Sequence, residues 1–135
     1  MGTACDTGAA GPAPAEVRLA LRPVPASAGE ARRFVVAALR DWDLEDLGDT
    51  AALLVSELVT NAILHARSEV TVAVRALGDA VRVEVVDEAD GVPFLRRASE
   101  TATTGRGLAL VDACARVWGV EPRPPGKAVW FDLEA

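Results

Sequence analysis

Within the stretch ELVTNAILHA, Glu57, Asn61 and His65 recur at intervals of four residues among Leu58, Val59, Ala62, Ile63 and Leu64, with Leu53, Leu54 and Val55 just before. A helix turns about 100° and rises about 1.5 Å per residue, so the three polar residues form one slowly turning stripe, each about 6 Å from the next. A helix apolar round most of its girth is a core helix, where an ionised Glu is costly unless it is paired or solvated. The stripe therefore faces water or lines a polar pocket. A solvated face is the ordinary explanation, but such faces are usually built from Glu, Lys and Arg, and Asn is a poor residue inside a helix. A carboxylate one turn from a carboxamide suits a metal-bound phosphate: the amide oxygen binds a hard cation, and the carboxylate orients or deprotonates a nucleophile. His65, the one histidine, reads as the polar end of the helix; without a cysteine cluster it does not make a zinc site.

Two further stretches carry groups suited to a nucleotide. In VVDEADGVP, Asp87 ends an alternating run and precedes a turn at Asp90 and Gly91. A carboxylate at a strand end accepts from an exocyclic amine, and a glycine lets backbone approach a flat base closely. Taken alone this is also an ordinary acidic turn. In TTGRGLALV, Gly105 and Gly107 precede an apolar run opening at Leu108. Free N–H groups at a helix start favour phosphate. Thr103 and Thr104 add hydroxyls, and Arg106 adds a charge-assisted donor. A lone GxG is a weak signal, and this one is neither a Walker loop nor a dinucleotide fingerprint.

The elements that hold these groups follow from periodicity. Residues 1–14, rich in Gly, Ala, Pro and Thr, read as a disordered tail, and residues 15–135 as one domain. EVRLALRP alternates, with Val17, Leu19 and Leu21 on one face, as a strand does. Ser27 with Glu30 fits a capping box opening a helix through Phe34, Val35, Ala38 and Leu39. After the polar break DWDLEDLGD, Asp49 is placed to cap the striped helix, which runs to about Ala66. EVTVAVRAL and AVRVEVVDE alternate around Gly78–Asp79, a hairpin signal. Asp90 to Thr104 has no period and reads as a long functional loop. Leu108, Val111, Ala115 and Trp118 then keep helical spacing from Gly105 to Trp118, and a last hairpin turns through RPPGK into AVWFDLEA. The order predicts an α/β two-layer sandwich: a mixed, mostly antiparallel sheet with helices on one face.

Composition narrows the function. The chain has 135 residues, half of them hydrophobic, with no Tyr, so small aliphatics must build the core. A net charge of −6 and the absence of a Lys/Arg run argue against nucleic-acid binding. Cys5 and Cys114 form no disulfide framework. No uninterrupted apolar run reaches the roughly 18 residues of a membrane span, and no secretory signal is visible, so a cytoplasmic protein is expected. Every basic residue except Lys127 is arginine, which reads as genomic composition bias.

Taken together, ELVTNAILHA, DEADGVP, GRGLALVDA and GKAVWFDL, in that order, resemble the GHKL (Bergerat-fold) ATPase superfamily, and most closely its small RsbW-like anti-sigma-factor serine kinases from actinobacteria. The resemblance covers nearly all of the chain from Glu16 to Leu133. It implies the Bergerat ATP-binding fold with ATP and Mg²⁺ as ligands. Glu57 then matches the general base and Asn61 the Mg²⁺ ligand. Asp87 matches the acceptor for the adenine amino group, and Gly91 the first glycine box. Gly105 and Gly107 match the second glycine box, with Thr103, Thr104, Arg106 and Leu108 beside it, and residues 94–104 match the lid. Two positions depart: Ala89 stands where the first box usually has Gly, and Ala128 where a hydroxyl is usual after Gly-Lys. The resemblance further implies binding of a sigma factor, phosphorylation of Ser or Thr on a STAS-domain anti-anti-sigma protein, and a possible homodimer. The alternative is a docking module that regulates its partner without phosphoryl transfer. A histidine-kinase catalytic domain is the less favoured third class, since the one His lies in the Asn61 helix.

Overall fold

A computed structural model describes residues 15–66, 68–88 and 108–135. Among these residues five strands and three helices are seen: β1 (Glu16–Leu21), α1 (Ala26–Asp41), α2 (Gly48–Ala66), β2 (Val70–Leu77), β3 (Ala80–Asp87), α3 (residues 108–114), β4 (Val117–Arg123) and β5 (Gly126–Glu134). A 3-10 turn, Glu45–Leu47, leads into α2. The strands form one sheet in the order β1-β2-β3-β5-β4.

Alternation decides which face of the sheet is dry. Leu21, Val70, Val72, Val74, Val81, Val83, Val85, Phe131 and Leu133 are buried and share one face. Against them lie Ala31, Val35 and Leu39 of α1 and Ala51, Leu54, Val55, Leu58 and Val59 of α2. The core is thus mostly valine, leucine and alanine around the single ring of Phe131, as a chain without Tyr requires. Within Glu45–His65 an 18-residue window reaches a mean hydropathy of 1.3, enough by length and composition for a membrane span although Asp49 and Glu57 interrupt it. In this fold half of that window is buried inside the domain, as in a core helix.

Among the described residues no helix covers the opposite face, where ion pairs run across the strands. Arg82 donates to both carboxylate oxygens of Asp132, at 2.7 and 2.9 Å, and its guanidinium lies 4.2 Å from the Trp130 ring centroid. Arg123 pairs with Glu84 at 3.1 Å and with Glu121, and Glu16 holds both Arg18 and Arg75.

Four expectations are corrected. Every described strand pair is antiparallel, so the sheet is not mixed. Between β1 and β2 the chain passes through two helices rather than one, which reverses its direction, whereas a parallel neighbour takes a single crossover. Ser27 does not cap α1: it is the second residue of the helix, and its hydroxyl donates to the Arg22 carbonyl at 2.7 Å. Asp49 lies in the first turn of α2, which opens one residue earlier at Gly48, and so complements the helix dipole instead of capping. Finally, helix does not run to Trp118. The Ala115 N–H still bonds the Val111 carbonyl at 2.7 Å, but the Arg116 N–H donates to Asp132, and Trp118 pairs with Phe131 in β4. Helical spacing and strand alternation both bury Trp118; β-branched Val117 and Val120, and a free edge on β5, favour the strand. At the other hairpin Gly78 takes φ 72°, the left-handed turn conformation that glycine accepts without strain.

Candidate functional site

The C-terminal half of α2, the end of β3 and the start of β5 meet at one end of the domain. Topology dictates this. α2 ends four residues before Val70, Val70 pairs with Asp87, and Asp87 pairs with Lys127. The Glu88 N–H donates to Ser68 Oγ at 3.1 Å, tying the α2–β2 connection to the exit from β3. Gly126 closes the other side. A Cβ there would fall 2.0 Å from the Asp87 carbonyl oxygen, so only glycine lets β5 begin so close to β3.

Asn61 is 8% exposed, and neither its amide oxygen nor its amide nitrogen has a hydrogen-bond partner among the described residues. Buried polar groups are almost always paired, and an orphan marks strain or the place of a water, ion or ligand. Glu57 and His65 lie half-buried, one turn to either side. Asp87 is 3% exposed, and its Oδ2 accepts a hydrogen bond from Lys127 Nζ at 2.5 Å. The two face the helix layer from adjacent strands.

The described residues contain no group of three or more His, Cys, Asp or Glu side chains able to hold a metal. Mg²⁺ is usually held by few protein ligands together with substrate phosphates and water, and the amide oxygen of Asn61, a hard donor without a partner among the described residues, is the group that could serve it.

Residues 21–133 match the family of histidine kinase-like ATPase domains. The chain belongs to that family. Its five-stranded antiparallel sheet under a helix layer is the sandwich the GHKL ATPases share, and membership makes it an ATP-binding, kinase-like regulatory domain. No curated protein matches the chain.

Of the residues singled out in the sequence, Glu57 stands at the middle of α2, Asn61 one turn further toward its C-terminus, and Asp87 ends β3. Leu108 opens the described part of α3 and packs half-buried against the core. Gly91, Thr103, Thr104, Gly105, Arg106, Gly107 and Ala89 lie outside the described residues, as do the tail 1–14 and the lid 94–104. Alternation along β5 turns Ala128 to the sheet face away from the helices, where it is fully buried opposite Val86. Lys127 is the β5 residue that meets Asp87, and sequence reasoning passed over it. A signal for it exists: it is the one lysine in a chain that otherwise uses arginine.

Proposed function

We propose that this chain is a Mg²⁺-ATP-dependent anti-sigma factor that phosphorylates a serine or threonine on a STAS-domain anti-anti-sigma partner. The observation that carries it is the buried amide of Asn61, without a partner among the described residues, one turn from a half-buried Glu57. In this reading Asn61 holds Mg²⁺ through its amide oxygen, and Asp87 accepts from the adenine amino group. Bound Mg²⁺ supplies neutralisation of phosphate charge. Glu57 takes the proton of the attacking hydroxyl as its oxygen bonds to the γ-phosphorus and the bond to the β-phosphate oxygen breaks, releasing ADP. By the sequence resemblance, the phosphate contacts are assigned to Gly105, Arg106 and Gly107, with Thr103 and Thr104, which lie outside the described residues.

A partner needs a surface as well. On α1 and α2, Arg32, Arg33 and Arg40 rim an open groove of about 400 Å³ floored by Val36, Ala37 and Ala52. In a chain of net charge −6 this local basic rim suits an acidic, partly apolar segment. The same groove supports the second reading, docking without transfer.

The deciding experiment incubates the chain with Mg²⁺-ATP and candidate STAS proteins, beside a Glu57→Gln variant. The first reading expects a phosphoprotein from the native chain, and retained ATP binding without transfer from the variant. Undiminished transfer by Glu57→Gln removes the general-base role. Partner binding without phosphate on any candidate favours docking alone.

A further inference from the structure

On the open face of the sheet Arg18, Arg75, Arg82 and Arg123 each hold a carboxylate. The helix layer differs. Arg32, Arg33 and Arg40 rim the groove between α1 and α2, and among the described residues none of the three makes an ion pair. Arg32 donates instead from Nη1 to Ser56 Oγ at 3.0 Å, spanning the two helices. A Cβ on Gly29 would lie 3.3 Å from Arg32 Nη2 and 3.5 Å from Arg33 Nη1, so the two guanidinium groups converge on one spot of α1. Like charges brought that close repel unless an anion joins them. In a chain of net charge −6, this is a local cationic surface suited to an acidic partner.

The pattern along α1 narrows the partner. Arg33, Val36, Ala37 and Arg40 stand at positions i, i+3, i+4 and i+7, which a helix gathers into one stripe. Its two cations are two turns apart, roughly 10 Å along the axis, with the apolar pair between them. Across the groove α2 adds Ala52, and the next residue, Leu53, is 45% exposed. A small anion would satisfy the arginines and leave the apolar floor bare. A groove between two helices, apolar along its floor and charged at its rim, instead fits the apolar face of a third helix.

From this we infer that the groove binds an acidic amphipathic helix of a partner protein, with carboxylates seven residues apart and apolar side chains at the third and fourth positions after the first. Laid alongside α1, such a helix repeats the separation of Arg33 and Arg40 and sets one carboxylate against each. Its apolar pair then covers Val36, Ala37 and Ala52. Arg32, held by Ser56, supplies a second guanidinium at the Arg33 end. The order acid, apolar, apolar, acid has the same spacing from either end, so the match holds for both chain directions. This inference rests on the reading of the groove as a partner surface and specifies what that surface recognises.

The test is fluorescence anisotropy with two stapled helical peptides of one composition. The first carries Glu at i and i+7 and Leu at i+3 and i+4; in the second the two Glu are moved to the opposite face of the helix. The native chain is expected to bind the first roughly tenfold or more tightly than the second. Arg33→Glu/Arg40→Glu should abolish that preference. Both positions are exposed on α1 and Glu is a good helix former, so circular dichroism should show a folded variant. Ala37→Gln, which fills the floor and keeps every charge, should weaken the first peptide several-fold. Equal binding of the two peptides by the native chain overturns the inference, since charge alone would then be recognised. So does binding that survives in Arg33→Glu/Arg40→Glu, or binding of neither peptide. Stabilisation of the native chain by Mg²⁺-ATP is read in parallel and reports on the nucleotide site alone. Candidate STAS proteins that fail to bind a native chain which takes the first peptide would remove the anti-sigma reading and leave the groove's specificity standing.

Discussion

Replacing Asn61 by leucine separates what this residue does for the fold from what it does for a ligand. The side chain is 8% exposed, and its oxygen and nitrogen find no partner among the described residues. Leaving an amide buried without hydrogen bonds costs about 1–3 kcal/mol on protein mutational scales. Leucine is similar in size and has no polar atom to desolvate, so Asn61→Leu should stabilise the ligand-free protein by about 1–3 kcal/mol. For 135 residues each kcal/mol moves the melting temperature by roughly 3–5 °C, between the values for shorter and longer domains. The expected rise is therefore roughly 3–15 °C. The urea midpoint should rise with the m-value unchanged, since the surface exposed on unfolding is the same. The ligand arm runs the other way. For native protein, Mg²⁺-ATP at 100 times its dissociation constant adds about 2.7 kcal/mol, and the variant should lose that increment. A protein that holds an unpaired amide in its core gives up stability for function. Destabilisation by about 1 kcal/mol or more on Asn61→Leu would refute the reasoning, because the amide would then be part of the packing.

Other perturbations probe the frame around the site. Gly126→Ala would put a methyl 2.0 Å from the Asp87 carbonyl oxygen, so it should cost about 2–3 kcal/mol or more in urea denaturation; a neutral effect would mean that β5 does not start so close to β3. Arg82→Met leaves the buried Asp132 carboxylate without its fork. With Arg82 about one-third exposed, solvent softens the loss, to about 1–2 kcal/mol by thermal or urea melting. The Glu16 carboxyl is held below its ordinary value, chiefly by the hydrogen bond from Arg75 and further by Arg18. Its contribution is complete above the ordinary carboxylate pKa of about 4.3 and is lost as pH falls through the lower folded value. Glu16→Gln should flatten the acid limb of the stability curve by less than about 1 kcal/mol; an unchanged acid limb would show that the pair contributes nothing.

Much of this protein is written in short-range pattern. Alternation in Val70–Leu77 and Ala80–Asp87, the Gly78–Asp79 turn and the apolar girth of α2 each arise from neighbours close along the chain, so the order of residues is enough to read them. The Glu57–Asn61–His65 stripe is legible in the same way, because a helix converts a spacing of four into one face. Where two patterns fit the same residues, sequence has no means to choose: the spacing of Leu108, Val111, Ala115 and Trp118 suits a helix, but pairing with β5 draws Trp118 into a strand.

The tertiary structure alone decided the chemistry of the sheet end. Asp87 and Lys127 are 40 residues apart, and nothing local to either names the other. Register does, since side chains alternate strictly along a strand: with Asp87 opposite Lys127, Lys127 shares its face and Ala128 turns away. The burial of Asn61 without a partner among the described residues is likewise invisible in sequence, because satisfaction of a polar group depends on atoms contributed by every element that packs around it. Sequence determined which residues are able to act; closure of the sheet decided which of them meet.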